Sequence, residues 1–337
     1  SLHSLRIYHI FHSIYKMGGR RIPILYLMIA GCLFTACQKE LTSSNGAGSG
    51  IPPRPDTLTA GWSKVTIAGE KSLADIFFSS PAIGFVVGSK IYKSIDSGHT
   101  WRAMYTGDAM SNIYMLDDAL AFFVHGDILS TDNGGNSFTT NNGMSLAQDV
   151  FILDNVFGYA TSYNGFFQSY NGRPWTRIYT VGLNLSGGYS SLFFISSSAG
   201  WVVSSTGIYS VVNTVTSWQK ATVTGGSGAP FEAVFASSAS VVYVANYQGE
   251  LYKSTNGGLS FNRISQFGIS GFMDLHFVDD LHGYASIGRF IFQTSNGGAS
   301  WTKVLTAGQG QIHEIHFVDS AHGWACADAG DIYIYNK

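Results

Sequence analysis

The sequence predicts an all-β fold made of seven like units, and three observations carry the prediction. The first is the turn TSNGGASW at 294–301, whose intact or decayed copies recur at intervals of 37 to 43 residues. The second is an upstream column of seven aromatic residues, Phe85, Phe122, Tyr159, Trp201, Tyr243, Tyr284 and Trp324. The third is composition: 337 residues with 40 glycines, 14% aromatic and 12% charged side chains, and no sustained helical period beyond the N-terminal region. A chain of this length can bury a large core. A repeat of this period, with three strands and a hairpin in each unit, is a four-stranded blade of a β-propeller.

Residues 1–37 stand apart from that fold. From Met17, MGGRR is a positive n-region, IPILYLMIAGCLF is an apolar run too short for an ordinary membrane span, and Thr35-Ala36 place small residues before Cys37. This is the pattern of a bacterial lipoprotein signal, with 1–16 an over-extended start and Cys37, followed by polar QKE, the lipidated residue. Cys32 is the alternative, but it leaves an apolar region of only about nine residues. Residues 38–60, rich in Ser, Gly, Pro and Thr, read as a flexible tether, and 61–337 as the propeller. The expected location is the bacterial cell envelope, lipid-anchored at the outer membrane, with the periplasmic or surface side left open.

Within the repeats each turn has a physical logic. Asn296 is placed to hydrogen-bond the backbone two residues on, Gly297 and Gly298 tolerate positive φ, and Trp301 offers a large apolar face just past the turn. The strictest copy, SIDSGHTW, carries Ser94, Asp96, Gly98 and Trp101. TDNGGNSF and STNGGLSF keep Asn133 with Phe138 and Asn256 with Phe261; the copies ending at Trp175 and Trp218 are eroded. Ser-x-Asp-x-Gly-x-x-Trp is the Asp-box, or bacterial neuraminidase repeat. With the strands before each box, the chain resembles the photosystem II stability/assembly factor family of β-propellers over nearly all of 61–337.

The upstream aromatics are mostly preceded by glycine, and seven residues before each stands Phe78, Met115, Ile152, Phe194, Ala236, Phe277 or Phe317. The first strand of each unit has an aliphatic column, Ile76, Ile113, Val150, Leu192, Val234, Leu275 and Ile315. Just before it runs a mostly polar one, Asp75, Asn112, Asp149, Ser191, Ala233, Asp274 and Glu314. Adjacent strand positions face opposite sides. The resemblance implies that these are the innermost strands, so that the polar set rings one mouth of a central channel. There are seven upstream aromatics but six box aromatics after them; GWSKV at 61–65 matches SWTKV at 300–304 and supplies the seventh, Trp62. The N-terminal strand is therefore expected to pair with the strand around Tyr333 and complete the last blade, since that strand would otherwise be an open edge.

Charge narrows the function classes. Arg6, Lys16, Arg20 and Arg21 precede residue 38 and all 21 acidic residues follow it, so the remainder carries 15 cations and a net charge of −6. That balance disfavours nucleic acid and anionic lipid as partners and leaves the anchor as the membrane contact. Only Cys326 lies in the domain, where it reads as a small buried strand residue without an intrachain disulfide.

No metal, cofactor or catalytic residue is predicted. Carboxylates at a channel mouth can bind a cation or do acid–base work, but strand starts near solvent favour polar residues in any case. His282 and His322 share one repeat position and His276 and His316 another, so a zinc site would need ligands that the ring instead spreads apart. Sialidases also carry Asp-boxes, away from their active sites. The sialidase Arg-Ile-Pro occurs here only at 21–23 inside the signal, Arg102, Arg177 and Arg263 fall on outer strands, and seven repeats disagree with six blades.

A binding or assembly module remains. The implied blade order gathers the inner-strand starts (Asp75, Asp149, Asp274, Glu314) and the turns between second and third strands on one face. Those turns carry His125, Tyr163, Asn164, Tyr247, Gln248, Arg289 and Asp328. Exposed Tyr, Arg and Asn are interface residues. The expected ligand is a protein in the cell envelope, with a glycan or sialidase-like glycoside chemistry as the alternative, and the chain is expected to be a monomer.

Overall fold

The computed structural model describes residues 54–337 apart from 142, 143, 145, 155, 156, 171–173, 187–189 and 272. Cys32, Cys37 and most of the tether lie outside the described residues. Seven sheets, each with four antiparallel strands in simple up-and-down order, form a ring. Their innermost strands are Asp75–Phe78, Asn112–Met115, Ala147–Ile152, Ser190–Ser196, Phe231–Ala236, Met273–Phe277 and Ile312–Phe317. Each lies beside the next, and the seventh beside the first. No helix occurs among the described residues.

The ring closes through the N-terminal strand. Trp62–Thr66 pairs antiparallel with Asp331–Asn336, in register from Trp62↔Tyr335 to Thr66↔Asp331, as the outer strand of the seventh blade. The Trp62 indole is buried against Tyr284, Phe317 and Tyr335. The domain also begins earlier than the tether boundary at 60. Thr57 and Leu58 pair with Thr306 and Leu305, and Asp56 accepts hydrogen bonds from the Tyr333 hydroxyl and the Gly308 amide and ion-pairs with Lys64. The outer strand Thr302–Thr306 would otherwise leave that edge open. The fifth blade gains a comparable extra strand, Thr222–Thr224, which runs parallel to Ser260–Asn262.

The core is divided into seven hydrophobic clusters, each between two neighbouring blades. The two aromatic columns meet there: Phe78 stacks on Trp324 at 3.6 Å between centroids, Phe317 on Tyr284 at 3.8 Å, Phe277 on Tyr243 at 3.9 Å and Phe194 on Tyr159 at 4.2 Å. In each case the second-strand aromatic of one blade covers the inner-strand Phe of the next. Burying each such ring stabilises by roughly 1.5–3 kcal/mol. The recurrent glycine before the aromatic follows from this packing, since a Cβ on Gly84 or Gly283 would collide with the ring of Phe78 or Phe277.

The Asp-boxes join blades from the opposite face of the disc to the inner-strand starts. In the first box Ser94 Oγ accepts from the Gly98 amide at 2.8 Å, Asp96 accepts from the Thr100 amide and hydroxyl, and Trp101 Nε1 donates to the Gly98 carbonyl. Asn133, Asn256 and Asn296 repeat this with Ser137, Ser260 and Ser300, the amide Nδ2 donating to the serine hydroxyl. The backbone bond thus reaches four residues on, Asn296 Oδ1 to Ser300 N at 2.9 Å, and not two. The free box carbonyls accept from the preceding blade: Ser97 O from Trp324 Nε1, Gly257 O from Trp201 Nε1, Gly297 O from the Tyr243 hydroxyl. Gly98 has φ +86°, and a Cβ there would lie 2.9 Å from Trp324 Nε1.

Candidate binding site: the channel and its mouth

Each inner strand sends alternate side chains toward the axis, so two successive inward positions form two rings. The upper ring is the polar column, from Asp75 round to Glu314, and all seven of its members line a cavity of about 630 Å³. Two residues deeper on every strand stand Phe77, Tyr114, Phe151, Phe193, Phe235, His276 and His316. These seven rings touch in an unbroken circuit, with neighbouring centroids 4.1 to 5.2 Å apart. They form an aromatic collar below the carboxylates. The cavity is therefore a cup whose wide end opens on the face of the inner-strand starts.

The wall carboxylates tie blades together. Asp75 Oδ2 accepts from the Ile113 amide at 2.6 Å, Asp149 Oδ2 from Leu192 N at 2.9 Å and Asp274 Oδ2 from Ile315 N at 3.0 Å, each bond crossing to the following blade. The loops entering the inner strands are held by the neighbouring turns in the same way, through Ala147 N to Gly126 O, Gly271 N to Tyr247 O and Ile312 N to Gly288 O.

Burial pushes these acids toward the neutral form. It raises Asp75 to about 8, opposed by the Ile113 amide and reinforced by Asp149 and Asp274. It raises Asp149 to about 7 and lifts Asp274. Glu314 is driven well above the carboxylate range by burial and by Asp274 and Asp75. Burial and the neighbouring His316 hold His276 well below its ordinary value, and burial holds His316 at about 4, so both collar imidazoles are neutral near pH 7. His316 Nε2 donates to the Phe78 carbonyl.

The residues read from sequence fall into two groups. Asp75, Asp149, Asp274, Glu314 and Tyr163 come together in the cup. His125, Asn164, Tyr247, Gln248, Arg289 and Asp328 occupy separate turns on the same face. Tyr163 and Tyr247 are 54% and 50% exposed, enough to meet a partner. His125 is turned onto the Asp127 carbonyl, and Arg289 lies against the Phe290 ring. Asp328 accepts from Ser72 Oγ and the Gln311 amide and pairs with His313 Nε2. This Ser–His–Asp trio is no relay, because Ser72 and Asp328 both meet the same ring nitrogen of His313. Among the described residues no three His, Cys, Asp or Glu side chains converge as metal ligands.

Two features escaped the sequence. The collar was visible only as aromatics two places after the polar column, and Glu232, which lines the cup, sits off the column. A register shift between Phe231 and Ala233 displaces it. Burial raises Glu232 to about 7.

No protein-family model matches the chain, and no curated protein sequence does. Solved structures match its fold. YCF48 from Cyanidioschyzon merolae is 18% identical with a TM-score of 0.60, covering 82% of this chain and 99% of its own. A YCF48 bound to D1 peptide is 14% identical with a TM-score of 0.64, covering 84% and 99%. A catalytically inactive virginiamycin B lyase from Staphylococcus aureus with quinupristin is 12% identical with a TM-score of 0.68, covering 82% and 99%. At these identities the similarity is one of architecture, and what this chain shares with them is the β-propeller.

Proposed function

We propose that this protein is a non-catalytic propeller scaffold, held in the cell envelope by a lipid on Cys37, that binds a polypeptide partner at the face where the cup opens. The observation that carries the reading is the cup itself, with exposed Tyr163 at its lip and the Tyr247 turn on the same face. Pockets of this size with a few convergent polar groups are the usual places for ligands. A structural relative has been solved with a peptide bound. The partner is bound by a monomer, and no nucleic acid or cofactor takes part.

Affinity capture from detergent-solubilised envelope tests the proposal. The full lipoprotein should retain a polypeptide that a variant with His125, Tyr163, Tyr247 and Arg289 changed to Ala loses. Retention by both would place the interface elsewhere. Binding to a glycan array without any captured protein, or hydrolysis of a sialoside, would replace the reading with the glycan-binding or glycosidase alternative. In the same material Cys37→Ala should leave an unprocessed or soluble form; Cys32→Ala should not.

A further inference from the structure

The composition of the cup goes beyond the presence of a pocket. Five carboxylates face it, Asp75, Asp149, Glu232, Asp274 and Glu314, and no lysine or arginine is among the described residues that line it. The remaining blades face it with Asn112 and Ser191, and the collar below contributes Tyr114 and two imidazoles that are neutral near pH 7. Elsewhere in the domain two of the three buried acids have a cation beside them, Glu250 with Arg263 at 2.8 Å and Asp331 with Lys64 at 3.1 Å, and the third, Glu70, accepts from Ser89 and Tyr92. Two wall oxygens, Asn112 Oδ1 and Glu232 Oε2, are shielded from solvent and accept no hydrogen bond. A buried acceptor without a donor is costly, and groups of that kind mark a place for a missing partner.

We propose that the cup binds an organic cation, an alkylammonium or guanidinium group, supplied by a lysine or arginine of the polypeptide partner. This rests on the reading of that face as the partner-binding surface. A cation with several N–H donors supplies what the walls lack, positive charge and donors for unpaired oxygens. The collar adds an uncharged aromatic boundary below the acids, a surface suited to the alkyl stem and to cation–π attraction. An inorganic cation fits less well, since Asp75, Asp149 and Asp274 are tied to backbone amides on separate blades, Glu314 bonds only to Asp274 among the acids, and no three His, Cys, Asp or Glu side chains of the described residues come together as metal ligands.

Entry of a cation favours the ionised walls, so protons held by Asp149 and Glu232 leave as it binds. Affinity rises as the pH passes upward through about 7, where those two groups titrate.

The test uses the full chain in detergent, with butylguanidinium and butylammonium as probes and butylurea as the uncharged isostere. Calorimetry should show the cations binding at least about tenfold more tightly than butylurea, the advantage expected of a charge-assisted site. Proton release should appear as a difference in heat between phosphate and MOPS at pH 7. Glu232→Gln, which removes no hydrogen bond, should weaken the cations about tenfold. Ala233→Asp should strengthen them, because that position carries Asp on three other blades. Equal binding of butylurea, indifference to both substitutions, or equal displacement by magnesium or calcium chloride would overturn the proposal. Butylguanidinium should also release the captured partner. A partner captured as before but undisturbed by the probe overturns the cation and leaves the partner-binding reading standing. Cation binding without any captured polypeptide confirms the site, assigns it to a free amine, and overturns that reading instead.

Discussion

The same acceptor chemistry is used at two places in the first and sixth blades, once in the box turn and once at the channel wall. In the box, Asp96 bonds its own turn near the surface; hydrogen bonds from Thr100 and Ser94 hold its carboxyl below the ordinary value against a desolvation that pushes the other way. At the wall, Asp75 bonds the next blade from a buried position and is pushed up to about 8. The difference lies in whose backbone is bonded. A local bond needs only an oxygen, so Asp and Asn alternate among the boxes. A bond across blades joins distant parts of the chain but takes the charge out of water.

The largest expected effect comes where the two networks meet the ring closure. Trp324 stacks on Phe78 and donates to the box carbonyl of Ser97, so Trp324→Ala should cost about 3–5 kcal/mol in denaturant unfolding. Trp301→Ala should cost less, because that ring keeps contact with solvent. At the wall, Asp75→Ala strands the Ile113 amide and should cost about 1–3 kcal/mol. Asp75→Asn, which keeps the acceptor, should cost little; an equal loss in both variants would show that the charge rather than the bond matters.

A pH series separates the networks further. Asp75, Asp149 and Glu232 hold protons in the folded state that the unfolded chain has already released, so stability should fall as pH rises from about 6.5 to about 8.5. The low values of His276 and His316 act below that window and with the opposite sign. Glu232→Gln should flatten the decline, measured as melting temperature against pH. Glu250, held near 2 by Ser227, Asn246 and Tyr252 in spite of its burial, should show its loss only on acidification. The smallest effect should be Asp96→Asn, within about 0.5 kcal/mol, since three sister boxes already work with Asn.

Much of the ring was legible because propeller repeats impose columns. The aromatic columns and the seventh outer strand at Trp62 follow from spacing, while the place of the polar column on the innermost strands came from the family resemblance. The cup was legible only in outline. That Asp75 reaches Ile113, or that Phe77 meets His316 at 4.1 Å, depends on which residues converge once the ring is closed, and these lie far apart in the chain. Glu232 was hidden by a one-residue register shift in its strand. The strand at Thr57–Leu58 carries no repeat signature and is recruited only by the open edge beside it.

The closing strand also sets an order of events. Ser63 bonds Ile334 across 271 positions of sequence, so the seam joins segments made at the start and the end of the domain's synthesis. Contacts of such long range carry the greatest loop-closure cost and form late. Until they form, Asp331–Asn336 presents a bare strand that the matching segment of another copy can fill as well as its own. Crowded refolding should then yield dimers that exchange Trp62–Thr66, and dilute refolding the monomer, with amides of that strand the last to gain protection from hydrogen exchange.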